Sequence, residues 1–367
     1  MGGELKEYST STVSWILAIQ SFVLVFGGII VGPLFDILGP KPLLIPGILL
    51  LIIGVMTTSV ASEYYQFILA QGICTGLGGS LIFNTTVGAL STWFVKRRAT
   101  AVGIMTSGAA IGGTILPIIF RRIEAAHGFS QGVRAVGYLL AGLSVFVCFA
   151  ISSRTKPPGW KHANFYQTYV KPFRWLPYTT VTAAVFFVYF GAYIPLNYVP
   201  QYARNEAQFS STMASYLASV QNGASTIGRI VPGILADRLG RYNVFTVCTV
   251  IAGILTLTLW IPANSHAVVI AYAALYGLFA GPTMSLFVAM IGEIVPVQHV
   301  GARLGATSAV VSFASLCGVP LAGGLLGANH DKYWAMAVFS ALCMFMAAFL
   351  AFLTKLMVTD RQWRSVK

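Results

Sequence analysis

Apolar residues fill this chain in long runs, and its polar positions gather in short clusters between them. A helix needs about 20 apolar residues to cross the hydrocarbon core of a bilayer. Eleven runs meet that length, at 13–35, 42–60, 66–92, 99–120, 133–152, 176–200, 212–236, 243–262, 267–291, 302–327 and 333–354. None alternates polar with apolar residues at period two, which excludes the strand pattern of an outer-membrane barrel. The expected fold class is an all-α membrane protein with little chain left for anything else.

The polar clusters contain an internal repeat. Gly32-Pro33-Leu34-Phe35-Asp36-Ile37-Leu38-Gly39 recurs in outline as Gly233-Ile234-Leu235-Ala236-Asp237-Arg238-Leu239-Gly240, at an offset of 201 residues. Each copy sits where an apolar run meets a short charged loop. Parallel repeats of this kind build the two halves of many secondary transporters. Two spans precede Asp237 in its half and one precedes Asp36, so the span missing from a full set of twelve is the first. Met1–Thr12 has no apolar core and reads as a polar external loop. The expected organisation is a five-span half over 1–152, a linker over 153–175 and a six-span half over 176–367 with a short tail.

Composition agrees, with 56% hydrophobic and 9% charged residues, against roughly 25% charged in ordinary soluble domains. The net charge of +13 is distributed by topology, which argues against a nucleic-acid partner. Lys41, Lys96, Arg97, Arg98, Arg154, Lys156, Lys161, Lys171, Arg174, Arg238, Arg241, Arg303, Lys355, Arg361, Arg364 and Lys367 fall in alternate loops or the tail. The opposite loops are expected to hold Lys6, Arg121, Arg122, Arg134, Arg204 and Lys332. The positive-inside bias makes the first set cytoplasmic, with the C-terminus inside and, after eleven crossings, the N-terminus outside. The linker's Lys156, Lys161, Lys171 and Arg174 would also attract anionic headgroups of the lipid bilayer. Cys74, Cys148, Cys248, Cys317 and Cys343 all lie in apolar runs and read as packing residues. The glycosylation-like Asn84-Thr85-Thr86 falls within a span. No nucleotide loop or H-E-x-x-H motif is present, and the five histidines are expected in loops, so neither enzyme, cofactor nor metal site is expected.

The two Gly-x-x-x-Asp loops resemble the signature loop of the major facilitator superfamily, the second copy more closely because Arg238 supplies the basic residue after the Asp. Trp93-Phe94-Val95-Lys96-Arg97-Arg98, with Ala101-Val102-Gly103 and Gly108 to Gly112, resembles the W/Y-F-x-[KR]-R-R…A-x-G…G motif of the monocarboxylate porter family. With Asn222-Gly223 through Arg229, the likeness is to that family's fungal branch and covers about 13–355. The resemblance implies a major facilitator bundle of two pseudo-repeated six-helix halves, lacking here the first helix and its acidic-Gly motif. It further implies that Arg229 binds an anion, with a proton-coupling Asp four residues earlier. This chain has Ser225 there, which cannot titrate.

Arg229 is also the one ionisable residue well inside a span. A central Arg costs roughly 2.5–3.5 kcal/mol on insertion scales, so it calls for a compensating role or for snorkelling to the interface. Its planar paired donors match a carboxylate. Gln221, Ser225 and Arg229 share a helix face, as do Tyr189, Tyr193 and Asn197. With Asn222 and Asn84 they form the candidate substrate-binding set. Asp36, Lys41, Asp237, Arg238, Arg241, Arg97 and Arg98 form the candidate gating set, and Glu293 and Asp36 are expected to pair with Arg238, Arg241 or Arg303 rather than carry a coupled proton. Gly103, Gly108, Gly112, Gly277, Gly281, Gly323 and Gly327 are expected to let helices approach closely. Pro195, Pro200, Pro232, Pro282 and Pro320 are candidate hinges. The expected function is secondary transport of a small organic anion such as a monocarboxylate, in the plasma or vacuolar membrane. The alternatives are secondary-metabolite efflux, which the absence of a Gly-Pro pair in 99–120 weakens for antiport without excluding, and a non-transporting sensor on a transporter scaffold.

Overall fold

The computed structural model describes residues 10–154, 169–263, 265–296, 299–328 and 332–358, all helical or irregular, with no strand among the described residues. The helices are α1 (Thr10–Phe26), α2 (Gly28–Leu38), α3 (Lys41–Thr58), α4 (Tyr64–Phe67), α5 (Thr75–Trp93), α6 (Arg98–His127) and α7 (Phe129–Ala150), followed by α8 (Leu176–Asn205), α9 (Ser211–Leu239), α10 (Arg241–Leu255), α11 (His266–Ala280), α12 (Thr283–Ile294), α13 (Val300–Ala328) and α14 (Trp334–Val358). π-Helical stretches at Ile68–Cys74 and Thr256–Trp260 continue α4 into α5 and extend α10.

Among the described residues, ten helical runs are long and apolar enough to cross a membrane. The eleventh expected span, α9, has 29 residues and the required length. Gln221, Asn222, Ser225, Thr226 and Arg229 make it more polar than the other long helices. A helix of that character needs neighbours to cover its polar face. Several helices outrun their apolar cores. Arg121, Arg122, Arg134 and Arg204, expected in loops, lie within α6, α7 and α8, His127 closes α6, and His266 opens α11. Arg134, in α7, donates from Nε to Ser59 Oγ at 3.3 Å. The run expected as one span over 267–291 is interrupted between α11 and α12 at Gly281-Pro282, where proline removes a backbone donor and clashes with the preceding turn.

The two signature helices end alike. Gly39 after α2 and Gly240 after α9 adopt φ of 77° and 93°, a region that a side chain disfavours. Each lets the chain leave its helix directly after the Asp-containing turn and start the next.

The chain forms two compact units, neither contiguous in sequence. The first comprises 1–93, 116–171 and 295–316, and the second 94–115, 172–294 and 317–367. In the first unit, Val31, Phe35, Leu43 and Ala89 pack as one core cluster, and Ile16 and Phe67 as another. Tyr169, at the end of the linker, donates its hydroxyl to the Ile29 carbonyl at 2.6 Å, and burial pushes its phenol pKa up. Lys156 and Lys161 lie outside the described residues.

In the second unit α9 crosses α11 on glycine. A methyl group at Gly277 would collide with the Gln221 carbonyl, one at Gly228 with that of Leu278, and one at Gly281 would meet Ser225 Oγ at 2.5 Å. Gly103, Gly277, Gly281 and Gly323 thus sit at close approaches, whereas at Gly108 and Gly327 a methyl group would find no neighbour within 4 Å, so these two do not pack as expected. Gly277→Ala is expected to destabilise the protein by about 1–3 kcal/mol through overpacking. It should lower the unfolding midpoint in detergent, while Gly108→Ala leaves it unchanged; equal midpoints would disprove the crossing.

Candidate functional site

Both signature aspartates meet the start of another helix. The first four N–H groups of a helix lack internal acceptors and carry positive potential. Asp237, at the end of α9, accepts from the backbone N–H of Ala99 at 3.1 Å and of Thr100 at 2.8 Å, and from Thr100 Oγ1 at 2.8 Å. Asp36, at the end of α2, accepts from Gly301 N–H at 3.2 Å and Ala302 N–H at 2.8 Å, at the start of α13. Glycine brings the backbones together beside each acid. A methyl at Gly233 would approach the Ala99 carbonyl at 2.9 Å, and one at Gly32 would strike that of Gly301.

Around Asp237 the contact grows into a charged cluster. Arg241 Nε lies 3.6 Å from Asp237, and its Nη1 lies 3.6 Å from Glu293. Arg241 also donates to the carbonyls of Ala289 at 3.3 Å and Val95 at 3.1 Å. Arg98 is 1% exposed and donates to the carbonyls of Gly292 and, at 3.3 Å, Phe94. Of the candidate gating residues, the structure therefore gathers Asp237, Arg241 and Arg98 with Glu293. Arg97, Arg238 and Lys41 are exposed, and Asp36 belongs to the other unit.

Arg229 lies two turns back along α9. Its Nε donates to Ser225 Oγ at 3.2 Å and its Nη1 to the Thr106 carbonyl of α6 at 2.6 Å. The approach is close enough that a methyl at Gly103 would strike the Arg229 carbonyl. No carboxylate of a described residue lies within 4.0 Å of this guanidinium. The phenols of Tyr189 and Tyr193 on α8 lie within its electrostatic reach, with ring centroids 5.6 Å apart, and Tyr189 packs edge-on against Phe287 at 6.0 Å. Tyr189 and Tyr193 of the α8 stripe are thus near Arg229 of the α9 stripe. Guanidinium hydrogens beyond those given to Ser225 and Thr106 have no acceptor among the described residues.

Other candidates play lesser parts. Asn197 is exposed and donates to the Tyr193 carbonyl at 2.7 Å, and Asn222 donates to that of Ala218 at 3.0 Å. Gln221 is 1% exposed, and neither end of its amide has a partner among the described residues. Asn84 belongs to the first unit, bonded to the Ser80 carbonyl and hydroxyl at 3.0 and 3.1 Å. Sequence reasoning missed Thr106 and Thr100. Thr106 acts through its carbonyl, which carries no side-chain signature.

The family model of the Major Facilitator Superfamily matches residues 3–180 and again 181–365. The chain is 37% identical to an MFS-type transporter of Gibberella moniliformis, covering 99% of this chain and 87% of the relative. It is 33% identical to the fujikurins efflux protein of Gibberella fujikuroi, covering 98% and 77%. It is 35% identical to the aspyridones efflux protein of Emericella nidulans, covering 96% and 71%. In fold it is similar to the human organic anion transporter MFSD10, with a TM-score of 0.76 at 13% identity over 93% of this chain and 83% of the other. It is also similar to the E. coli fucose:proton symporter, with a TM-score of 0.74 at 17% identity over 94% and 91%. With helices that carry a duplicated signature and a family match over both halves, the chain belongs to the Major Facilitator Superfamily and is a secondary transporter of that fold.

Proposed function

We propose that this transporter moves small organic anions, and that Arg229 holds the anionic group. The observation that carries this reading is a guanidinium deep in α9, fixed by Ser225 and Thr106 and without a carboxylate partner among the described residues. Charge at that depth is costly unless something compensates it, and a substrate carboxylate matches its paired donors. The tyrosines of α8 offer aromatic faces to the body of the same substrate. The W-F-x-K-R-R motif supports the monocarboxylate-porter branch, and the helices described correspond to spans two to twelve of a twelve-span bundle divided at the 153–175 linker. Relatives named as efflux proteins for fujikurins and aspyridones favour export of a secondary metabolite over uptake. Ser225 cannot carry the coupled proton, so the Arg229 site itself confers no pH step. The plasma membrane and the vacuolar membrane both suit such a role.

The test is transport in sealed vesicles carrying the full chain, comparing a labelled aromatic monocarboxylate with its neutral methyl ester, after correction for passive permeation. The carboxylate is expected to accumulate above empty vesicles and the ester not to. Carrier-dependent flux of both at equal rates would remove the anion from the recognition step.

A further inference from the structure

A cavity lies in the second unit, at the end opposite the Asp237–Arg241 cluster. It has a volume of about 300 Å³ and is walled by the aromatic rings of Tyr202, Trp260, Tyr333 and Trp334, with Glu206 and Lys332 among its lining. That volume is at the small end of the range for ligand pockets.

Tyr202 stands edge-on to Tyr333 at 5.2 Å and to Trp260 at 6.3 Å, and Trp260 stacks on Tyr272 at 5.7 Å. The walls are therefore set by ring packing. Trp260 is 1% exposed, yet its indole N–H has no acceptor among the described residues. A buried donor left unpaired costs roughly 1–3 kcal/mol, and here it belongs to a ring that lines an open space. Tyr202 spends its own hydroxyl on the Ala263 carbonyl at 2.6 Å.

Two residues of opposite charge line the cavity. Glu206 caps the C-terminus of α8, where the helix dipole is negative. Lys332 precedes α14, whose N-terminus is positive. These opposite charges share one cavity, yet no carboxylate of a described residue lies within 4.0 Å of Lys332. A ligand with one charge would answer only one of the two.

From this we propose that the cavity binds a small zwitterion of amino-acid size, with its carboxylate toward Lys332 and the Trp260 N–H, and its ammonium toward Glu206 and the surrounding ring faces. Aromatic faces attract cations, and more strongly when water is excluded. The site is separate from Arg229 and does not depend on the anion reading of that residue.

The experiment is calorimetric titration of the full chain in nanodiscs with L-phenylalanine, with phenylpropionate, which lacks the ammonium, and with phenethylamine, which lacks the carboxylate. The three probes are compared in Arg229→Ala, which removes the carboxylate site proposed above; saturable binding of L-phenylalanine is expected, with each single-charge analogue at least about tenfold weaker. Trp260→Phe keeps the ring and removes the N–H, and should weaken L-phenylalanine about tenfold. Lys332→Gln and Glu206→Gln change exposed residues, so they report even where the tryptophan variant fails to fold. The first should abolish the advantage over phenethylamine and the second the advantage over phenylpropionate. Arg229→Ala should leave binding intact. Absence of saturable binding, equal affinity for all three probes, or loss of binding in Arg229→Ala would each overturn the proposal.

Discussion

Asp237→Asn is expected to slow transport turnover by at least about tenfold while leaving substrate affinity close to that of the parent. The carboxylate receives three hydrogen bonds from the start of α6 and faces Arg241. Asparagine keeps one oxygen and places an NH₂ where the other stood, donor against donor. One hydrogen bond to a charged group is worth about 1.5–3 kcal/mol, and about 1.4 kcal/mol is a factor of ten. The conformation in which α9 and α6 touch is then underpopulated, and every cycle that passes through it slows. The substrate contacts proposed at Arg229 lie two turns away and are expected to be retained. The measurement is initial rate against substrate concentration together with equilibrium binding in the same membranes; a loss carried wholly by affinity would refute the gating role. Asp36→Asn should be milder. It forfeits a share of two hydrogen bonds rather than three. The first repeat also has Pro40 where the second has Arg241.

The contrast between the two repeats shows which part of this site the sequence carries. Gly32 and Asp36 recur as Gly233 and Asp237 at a fixed offset, and the fold uses both pairs in the same way, glycine for approach and aspartate for the neighbouring N–H groups. What each aspartate meets could not be read from its neighbours. Asp237 is 137 residues from Thr100, and Asp36 is 266 from Ala302. Backbone N–H groups at a helix start look alike in any sequence. The three cations of Lys96-Arg97-Arg98 likewise read as one exposed loop cluster, yet Arg98 is buried against the Gly292 carbonyl while Arg97 is exposed. Helical phase at the first turn of α6 separates them, and that phase depends on where the helix begins.

Arg229 was legible for a different reason. A charge in the middle of an apolar run is conspicuous, and its spacing from Ser225 put the hydroxyl one turn away on the same face, where Nε reaches it. The anchor on α6 was not legible, since Thr106 contributes only its carbonyl. The two anchors leave the guanidinium partly committed: it is oriented by neutral acceptors, and its charge remains to be neutralised. That arrangement favours a site over a structural ion pair, because breaking a structural pair would strand a second charge and here there is none within 4.0 Å among the described residues.

Arg229→Lys is accordingly expected to lose most transport although the charge is kept. The ammonium is a compact donor on a flexible stem. It cannot hold Ser225 Oγ and the Thr106 carbonyl in one plane while presenting paired donors to a carboxylate. Loss of a charge-assisted bidentate contact worth about 1.5–3 kcal/mol predicts roughly a ten- to hundredfold fall in transport efficiency. Arg229→Ala should fall at least as far. Ser225→Ala, which removes one of the two anchors and leaves the guanidinium, should fall less. Direct binding of the labelled carboxylate separates a lost contact from a lost fold, provided that each variant reaches the membrane in equal amount and elutes as a monodisperse species. The neutral methyl ester supplies the control, because its passive flux should be indifferent to residue 229. If Arg229→Lys and Arg229→Ala transport the carboxylate at the parent rate at equal expression, the anion is not held here. The guanidinium would then be a helix-bridging group whose function is met by the α6 carbonyl alone.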